Sequence, residues 1–322
     1  MQQFTIADVR KALDAIRPYV RRTPLEESYY LGDADHRFYF KLESFQRAKS
    51  FKIRGAVNKM LSLPEEQRRR GVGAVSSGNH GSSVSYAASL LGIERAVVVV
   101  PEPTPKSKVD KIRYFGAEVK LMGRNYDEAH ALGMEYIRQE GLTNIDSCHE
   151  DVLVYAGQGT VALEILEQNP EIDTIVVPIG GGGIATGVAV AAKAAKPGIK
   201  VFGVQTAACP AMVRSYADGV CYEEYPTEES LCEALVGGVG RLSYAMLRDY
   251  VDDILVVSED SIRKATAFML TEEKYVVEAS AATTLAAAME YPEQVNGHHV
   301  ALVMTGGNID GATIRKILRE TE

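Results

Sequence analysis

Three separated segments of this 322-residue chain carry residues that could do chemistry together. In the first, residues 174–193 read TIVVPIGGGGIATGVAVAAK, so an apolar run passes straight into Gly180, Gly181, Gly182 and Gly183 and then into a helical pattern. Glycines let successive backbone N–H groups converge on one point, and a following helix adds its positive end, which makes a pocket for a phosphate. No Lys-Ser/Thr pair closes the loop, against Walker-type chemistry. Gly180, Gly182 and Ala185 only approximate a dinucleotide fingerprint, and the next strand, VFGVQ, ends in Gln205 where a ribose would need an acid. Four consecutive glycines lose much chain entropy on ordering, which makes a purely structural turn the weaker reading.

The second segment, KLESFQRAKSFKIRGA at 41–56, runs from a strand into a helix start carrying Lys52. A lysine in such a mixed-charge setting is ordinarily a solvated surface residue. Between Phe51 and Ile53, and with a phosphate loop elsewhere, it becomes a candidate nucleophile toward an aldehyde. The third segment, SSGNHGSS at 76–83, is a polar turn of small residues between a strand and a helix. His80 within it has an imidazole suited to proton transfer near neutrality, although service to the turn through its backbone is the preferred reading.

These segments need rigid elements to hold them. Short apolar runs at 38–42, 73–75, 96–100, 118–121, 174–178, 200–204, 253–257 and 299–304 alternate with helical patterns, several of which stop at Gly or Pro-Gly. Runs such as AVVVV and TIVVP are apolar on both faces, as parallel strands covered by helices must be, so an open α/β fold is expected. Thr5 is expected to cap a first helix, with Asp8 near its positive end. The length favours two domains, with a smaller unit at 71–148 inserted into a larger one and no room for an appended regulatory domain.

Composition narrows the function classes. With 46% apolar and 24% charged residues the chain reads as a soluble globular protein. A net charge of −8 argues against a nucleic-acid binder. Charged residues break every N-terminal apolar stretch, against a secretory signal, and no run is long enough to span a membrane. Cys148, Cys209, Cys221 and Cys232 lie far apart, so reduced thiols and a cytoplasmic address are expected.

Five motifs, KSFKIRGA, SSGNHG, AGQGT (156–160), VPIGGGG and MTGGN (304–308), occur in the order seen in fold-type II pyridoxal-phosphate enzymes. Over nearly its whole length the chain resembles the threonine dehydratase and serine racemase branch. The resemblance implies two open parallel-sheet, three-layer domains of the tryptophan synthase β-like type, residues 1–70 with 149–322 and residues 71–148, holding pyridoxal 5'-phosphate between them. It implies that Lys52 holds the cofactor covalently, Phe51 packs near its ring, Asn79 bonds its phenolic oxygen and Thr305 faces its pyridine nitrogen. Gly180, Gly181, Gly182 and Gly183 would hold the phosphate, and Ser76, Ser77, Gly78, Asn79 and His80 would receive the substrate carboxylate. Glu278, in VVEASAA, matches an acidic position near the cofactor, with a helix-face carboxylate as the alternative.

The implied reaction is α,β-elimination from a β-hydroxy amino acid of the threonine or serine type, giving a 2-oxo acid and ammonia. A hydroxyl at Thr305 in place of a carboxylate disfavours transamination. Lys52 and Ser77 form the expected two-base pair, which also permits racemisation. A serine or aspartate racemase, a 3-hydroxyaspartate ammonia-lyase and a non-enzymatic metabolite sensor therefore stand as alternatives. Gln205 stands where relatives have an acid, and Ala211 near a second such position, so no metal site is expected. EALVGGVG replaces an Ala-Asp-Gly signature at 233–240, and Ser82 follows Gly81, which leaves the side chain of the substrate open. A homodimer taking a small amino-acid substrate is the assembly the resemblance suggests.

Overall fold

The computed structural model describes residues 3–147 and 149–321. Cys148 therefore lies outside the described residues, while Cys209, Cys221 and Cys232 are free thiols. The chain opens with the helix Ile6–Ile16, where the Asp8 carboxylate accepts from the Thr5 amide at 2.8 Å and from its hydroxyl at 3.0 Å. That satisfies donors which a helix start leaves without partners.

Among the described residues ten strands follow in chain order: β1 Leu25–Gly32, β2 Arg37–Leu42, β3 Val72–Val75, β4 Ala96–Val100, β5 Glu118–Leu121, β6 Thr143–Asn144, β7 Thr174–Pro178, β8 Lys200–Thr206, β9 Asp253–Val257 and β10 His299–Met304. They form a six-stranded sheet in the order β1-β2-β10-β7-β8-β9 and a four-stranded sheet in the order β5-β4-β3-β6. All pairings are parallel except β1 with β2. Each apolar run of the sequence becomes a strand, with ends within two residues. The two additional strands carry little apolar signal. β1 reads LEESYYLG, largely exposed at a sheet edge, and β6 is two residues long. Their pairing is set by neighbouring strands rather than by burial of their own side chains.

Side-chain alternation builds the three layers. From β7, Ile175 and Val177 face the helices Val152–Gln168 and Gly183–Ala195, whereas Val176 faces Glu259–Thr271 and Ala279–Glu290. From β10, Ala301 and Val303 take the first face and Val300, Leu302 and Met304 the second. The small sheet is likewise covered on both sides. Val72, Ala74, Val98 and Val100 pack with the helices Lys52–Leu61 and Asn79–Leu90, and Val75, Val97 and Val99 pack against Ile137 of Tyr126–Gln139. Ile53, Ala56, Val57 and Met60 thus lend chain from before residue 71 to the core beneath the small sheet. Among the described residues no helix is long and apolar enough to cross a membrane.

Candidate active site

The glycine loop leaves the carboxyl end of β7, in the middle of the large sheet, where parallel sheets place their ligands. Gly182 adopts φ +90°, a left-handed conformation suited to glycine, and starts the helix Gly183–Ala195. A Cβ there would lie 2.5 Å from Cβ and Oγ of Ser243. Gly181 accepts from the Gly240 amide at 2.9 Å, which ties the loop to the segment above it. Among the described residues the amides of Gly180, Gly181 and Gly182 donate to no protein acceptor, and the first-turn amides of the helix have none by construction. The result is an open cradle of N–H groups at a helix's positive end.

A second cradle forms at 76–81, where β3 gives way to the helix Asn79–Leu90. Ser76 Oγ accepts from the Gly78 amide at 3.3 Å. Gly81 is confined because a Cβ would come within 2.0 Å of the Ser76 carbonyl. The Ser77 hydroxyl and the amides of Ser77, Asn79 and His80 have no acceptor among the described residues, so this turn can receive a carboxylate. The His80 imidazole takes another direction. It is buried, its Nε2 donates to the Ile145 carbonyl at 2.7 Å, and burial followed by the Lys52 charge lowers its pKa to about 4. It is neutral at physiological pH.

Lys52 opens the helix Lys52–Leu61 between these cradles. The Phe51 amide donates to the Thr305 carbonyl at 3.0 Å and Ser50 bridges to Gly306, so the chain before Lys52 is pinned to the end of β10. Lys52 Nζ donates to the Ser147 carbonyl at 3.3 Å, lies 5.3 Å from the Phe51 ring centroid, and makes no ion pair among the described residues. Two residues on, Arg54 is fully buried and bonds both Glu43 and Glu164, with four N–O distances of 2.8 Å. Burial acts to lower the Arg54 pKa, but the two carboxylates outweigh it and hold the guanidinium charged. The helix that presents Lys52 is thereby clamped to the loop after β2 and to the helix Val152–Gln168.

Thr305 is buried directly after β10, and its hydroxyl makes no hydrogen bond among the described residues. Next to it Glu278 is buried, accepting from Asn79 Nδ2 at 2.7 Å and from the Asn308 amide at 3.1 Å. Burial pushes the Glu278 carboxyl up, while those two bonds and the Lys111 charge oppose the shift. Lys52, Phe51, Asn79, Glu278 and Thr305 are thus brought into one neighbourhood by motifs far apart in the chain.

Several participants carried no assigned role on sequence grounds. Asn308 closes the MTGGN motif, and its side chain donates to Asn79 Oδ1. Lys111 reaches Asn308 from the helix Lys106–Tyr114. Asp146 and His149 sit on the same loop as Ser147, with Nδ1 and Oδ1 2.7 Å apart. Hydrogen bonding to His149 overcomes burial and holds the Asp146 carboxyl well below the usual range, and the same bond raises His149. An Asp-x-x-His spacing in a loop gave no periodic signal by which to find them. Gln205, read as a lost metal ligand, has a positive structural task. Its Oε1 accepts from the amides of Met212 and Val213 at 2.9 and 3.1 Å, capping the helix Ala211–Asp218.

A family model described as pyridoxal-phosphate dependent enzyme matches residues 16–306 of this chain. The chain belongs to the pyridoxal-phosphate-dependent enzymes. It is 39% identical over 319 residues to L-threonine ammonia-lyase of Thermotoga maritima, covering 98% of this chain and 79% of that relative. To the catabolic L-threonine dehydratase of Escherichia coli strain K12 it is 36% identical, covering 97% and 95% of the two chains. The solved structure of maize serine racemase superposes with a TM-score of 0.90 at 35% identity, covering 99% of this chain and 98% of the other. The fold is that of this family, and the site suits its cofactor. Unpaired glycine amides at a helix start match a phosphate, a lysine without a carboxylate partner matches an aldehyde, and a free hydroxyl at Thr305 matches a ring nitrogen.

Proposed function

We propose that this pyridoxal-phosphate enzyme is an ammonia-lyase acting on a β-hydroxy amino acid of the threonine or serine type, with a 2-oxo acid and ammonia as products. The observation that carries the reading is Lys52, whose amine has no carboxylate partner among the described residues and whose helix start is pinned to Thr305 through the Phe51 amide, in a chain 39% identical to an L-threonine ammonia-lyase. The bound cofactor supplies an electron sink that weakens bonds at the substrate's α-carbon. The protein's own residues choose among those bonds. Lys52 anchors the cofactor and its Nζ takes the α-proton. Gly180, Gly181, Gly182 and Gly183 hold the phosphate, Phe51 flanks the ring, and Asn79 donates a second N–H toward the phenolic oxygen. Thr305 offers the ring nitrogen a neutral hydroxyl, with Glu278 as the nearby carboxylate. Ser76, Ser77, Gly78, Asn79 and His80 orient the substrate carboxylate, His80 through its backbone because its imidazole is occupied at Ile145.

A racemase is the second reading, favoured by the hydroxyl of Ser77 on the same turn and by the likeness to maize serine racemase. The division into residues 1–70 with 149–322 and residues 71–148, a homodimeric assembly and a cytoplasmic address belong to the same proposal. The separate four-stranded sheet supports the division.

The test is oxo-acid release from L- and D-serine, L- and D-threonine and the 3-hydroxyaspartates, with chiral analysis of recovered substrate. Rapid release from one member establishes the lyase and names its substrate. Inversion without release transfers the assignment to a racemase, and silence across the panel removes both. Lys52→Ala is expected to abolish the visible absorbance of bound cofactor together with turnover; survival of both would remove Lys52 from its role.

A further inference from the structure

Asn79 has two amide donors and one acceptor, and its use at the site depends on which end points where. Nothing in its own side chain decides this. Its Nδ2 donates to Glu278 Oε1 at 2.7 Å, and its Oδ1 accepts from Asn308 Nδ2. The direction of that second bond depends in turn on the orientation of the Asn308 amide. Two neighbours set it: the Ala48 carbonyl, which can only accept, receives from Asn308 Nδ2 at 3.1 Å, and the Lys111 ammonium, which can only donate, binds Asn308 Oδ1. Lys111 also donates to the Ala48 carbonyl at 3.4 Å.

The chain of bonds therefore has one polarity from end to end. It begins at a group with no acceptor, Lys111, and ends at the carboxylate of Glu278. It also crosses between the sheets. Lys111 lies on the helix Lys106–Tyr114, between β4 and β5, whereas Asn308 follows β10 and Glu278 precedes the helix Ala279–Glu290.

We propose that Lys111 is a positioning residue: by holding Asn308 Oδ1 it orients the Asn308 and Asn79 amides and so turns an Asn79 N–H toward the bound cofactor. The inference rests on the proposed role of Asn79 at the cofactor. Its charge acts in the same sense, because the ammonium favours the ionised form of buried Glu278, which accepts the other Asn79 N–H. Lys111 itself is partly buried, and burial lowers its pKa while Glu278 raises it.

The holoenzyme and its Lys111→Met, Lys111→Arg, Asn79→Ala and Asn79→Ala/Lys111→Met variants are compared by two readouts besides turnover: the visible absorption of bound pyridoxal phosphate and its dissociation constant. Lys111→Met is expected to shift the band and weaken cofactor binding by ~3–10-fold, the scale of one misdirected hydrogen bond. Lys111→Arg, also donor-only, restores both values. Lys111→Met adds nothing to Asn79→Ala, since the effect passes through Asn79. Unchanged spectrum and affinity in Lys111→Met, equal losses in the Arg and Met variants, or additive losses with Asn79→Ala would each overturn the proposal. If Lys111→Met does not fold, Lys111→Gln keeps a donor without the charge, so near-parent values support the proposal and Met-like losses oppose it. A parent protein with no visible band when loaded sinks the cofactor-site reading instead, which separates the two failures.

Discussion

His80 and His149 both feel the charge of Lys52, and their pKa values shift in opposite senses. His80 falls from an ordinary 6.5 to about 4 in the folded state, because its ring is buried and the Lys52 charge lies nearby, and these outweigh the opposing bond to the Ile145 carbonyl. Below pH 6.5 the unfolded chain binds a proton there that the folded one refuses, so its contribution is complete above 6.5 and is lost as the pH falls toward 4. The full loss is about 3 kcal/mol. His149, raised by Asp146, behaves the other way: its contribution is complete below the unfolded value and fades as the pH rises through the folded one. Urea unfolding between pH 7 and 4 is therefore expected to show a shallower acid loss in His80→Gln than in the parent. An equal or steeper loss would contradict the buried neutral imidazole.

At the scale of elements, the site depends on two strand–turn–helix transitions whose glycines are required for different reasons. Gly182 combines φ +90° with a blocked Cβ direction at Ser243, whereas Gly81 has no positive φ and is limited by space, at the Ser76 carbonyl and at Val98. Gly182→Ala is expected to lower stability by about 1–3 kcal/mol, the strain of a non-glycine residue held there. Cofactor affinity should fall by about tenfold or more, since a shift of the loop disperses several N–H donors at once. Gly198→Ala is the matched control: it has open space around its Cβ and no positive φ, so a change within about 0.5 kcal/mol is expected. Thermal unfolding and cofactor titration of the two variants check the contrast. Similar losses in both would assign the effect to glycine content rather than to the loop's geometry.

Across the whole molecule, buried charge and exposed charge hold the parts together with unequal force. Lys41, Glu43, Arg54 and Glu164 form a buried network joining β2, the helix of Lys52 and the helix Val152–Gln168. Removing Arg54 leaves buried Glu43 without a cation and Glu164 with Lys41 alone, so Arg54→Met is expected to cost about 3–5 kcal/mol in urea unfolding. Lys108 and Glu233, by contrast, pair at 2.7 Å between the two sheets with both side chains substantially exposed. Lys108→Met is accordingly expected to cost no more than about 1 kcal/mol. A reversed ranking would mean that the connection between the sheets, rather than the buried network, dominates stability.

Much of this protein was determined by local sequence. AVVVV and TIVVP had to be strands buried on both faces, four glycines before a helix had to make a turn with free backbone N–H groups, and Thr5 with Asp8 had to start a helix, because period, backbone freedom and capping act within a few residues. The motif set around Lys52, Asn79, Gly182 and Thr305 was legible for the same reason. The edge strand β1 was not, since LEESYYLG buries little of its own surface and pairs only because β2 lies beside it. Nor could spacing disclose that Lys111, Asn308, Asn79 and Glu278 form one chain of bonds, or that Arg54 is enclosed by Glu43 and Glu164. Those partners are brought together by the packing of helices against two sheets, and the direction of a hydrogen bond is decided only where donor and acceptor meet.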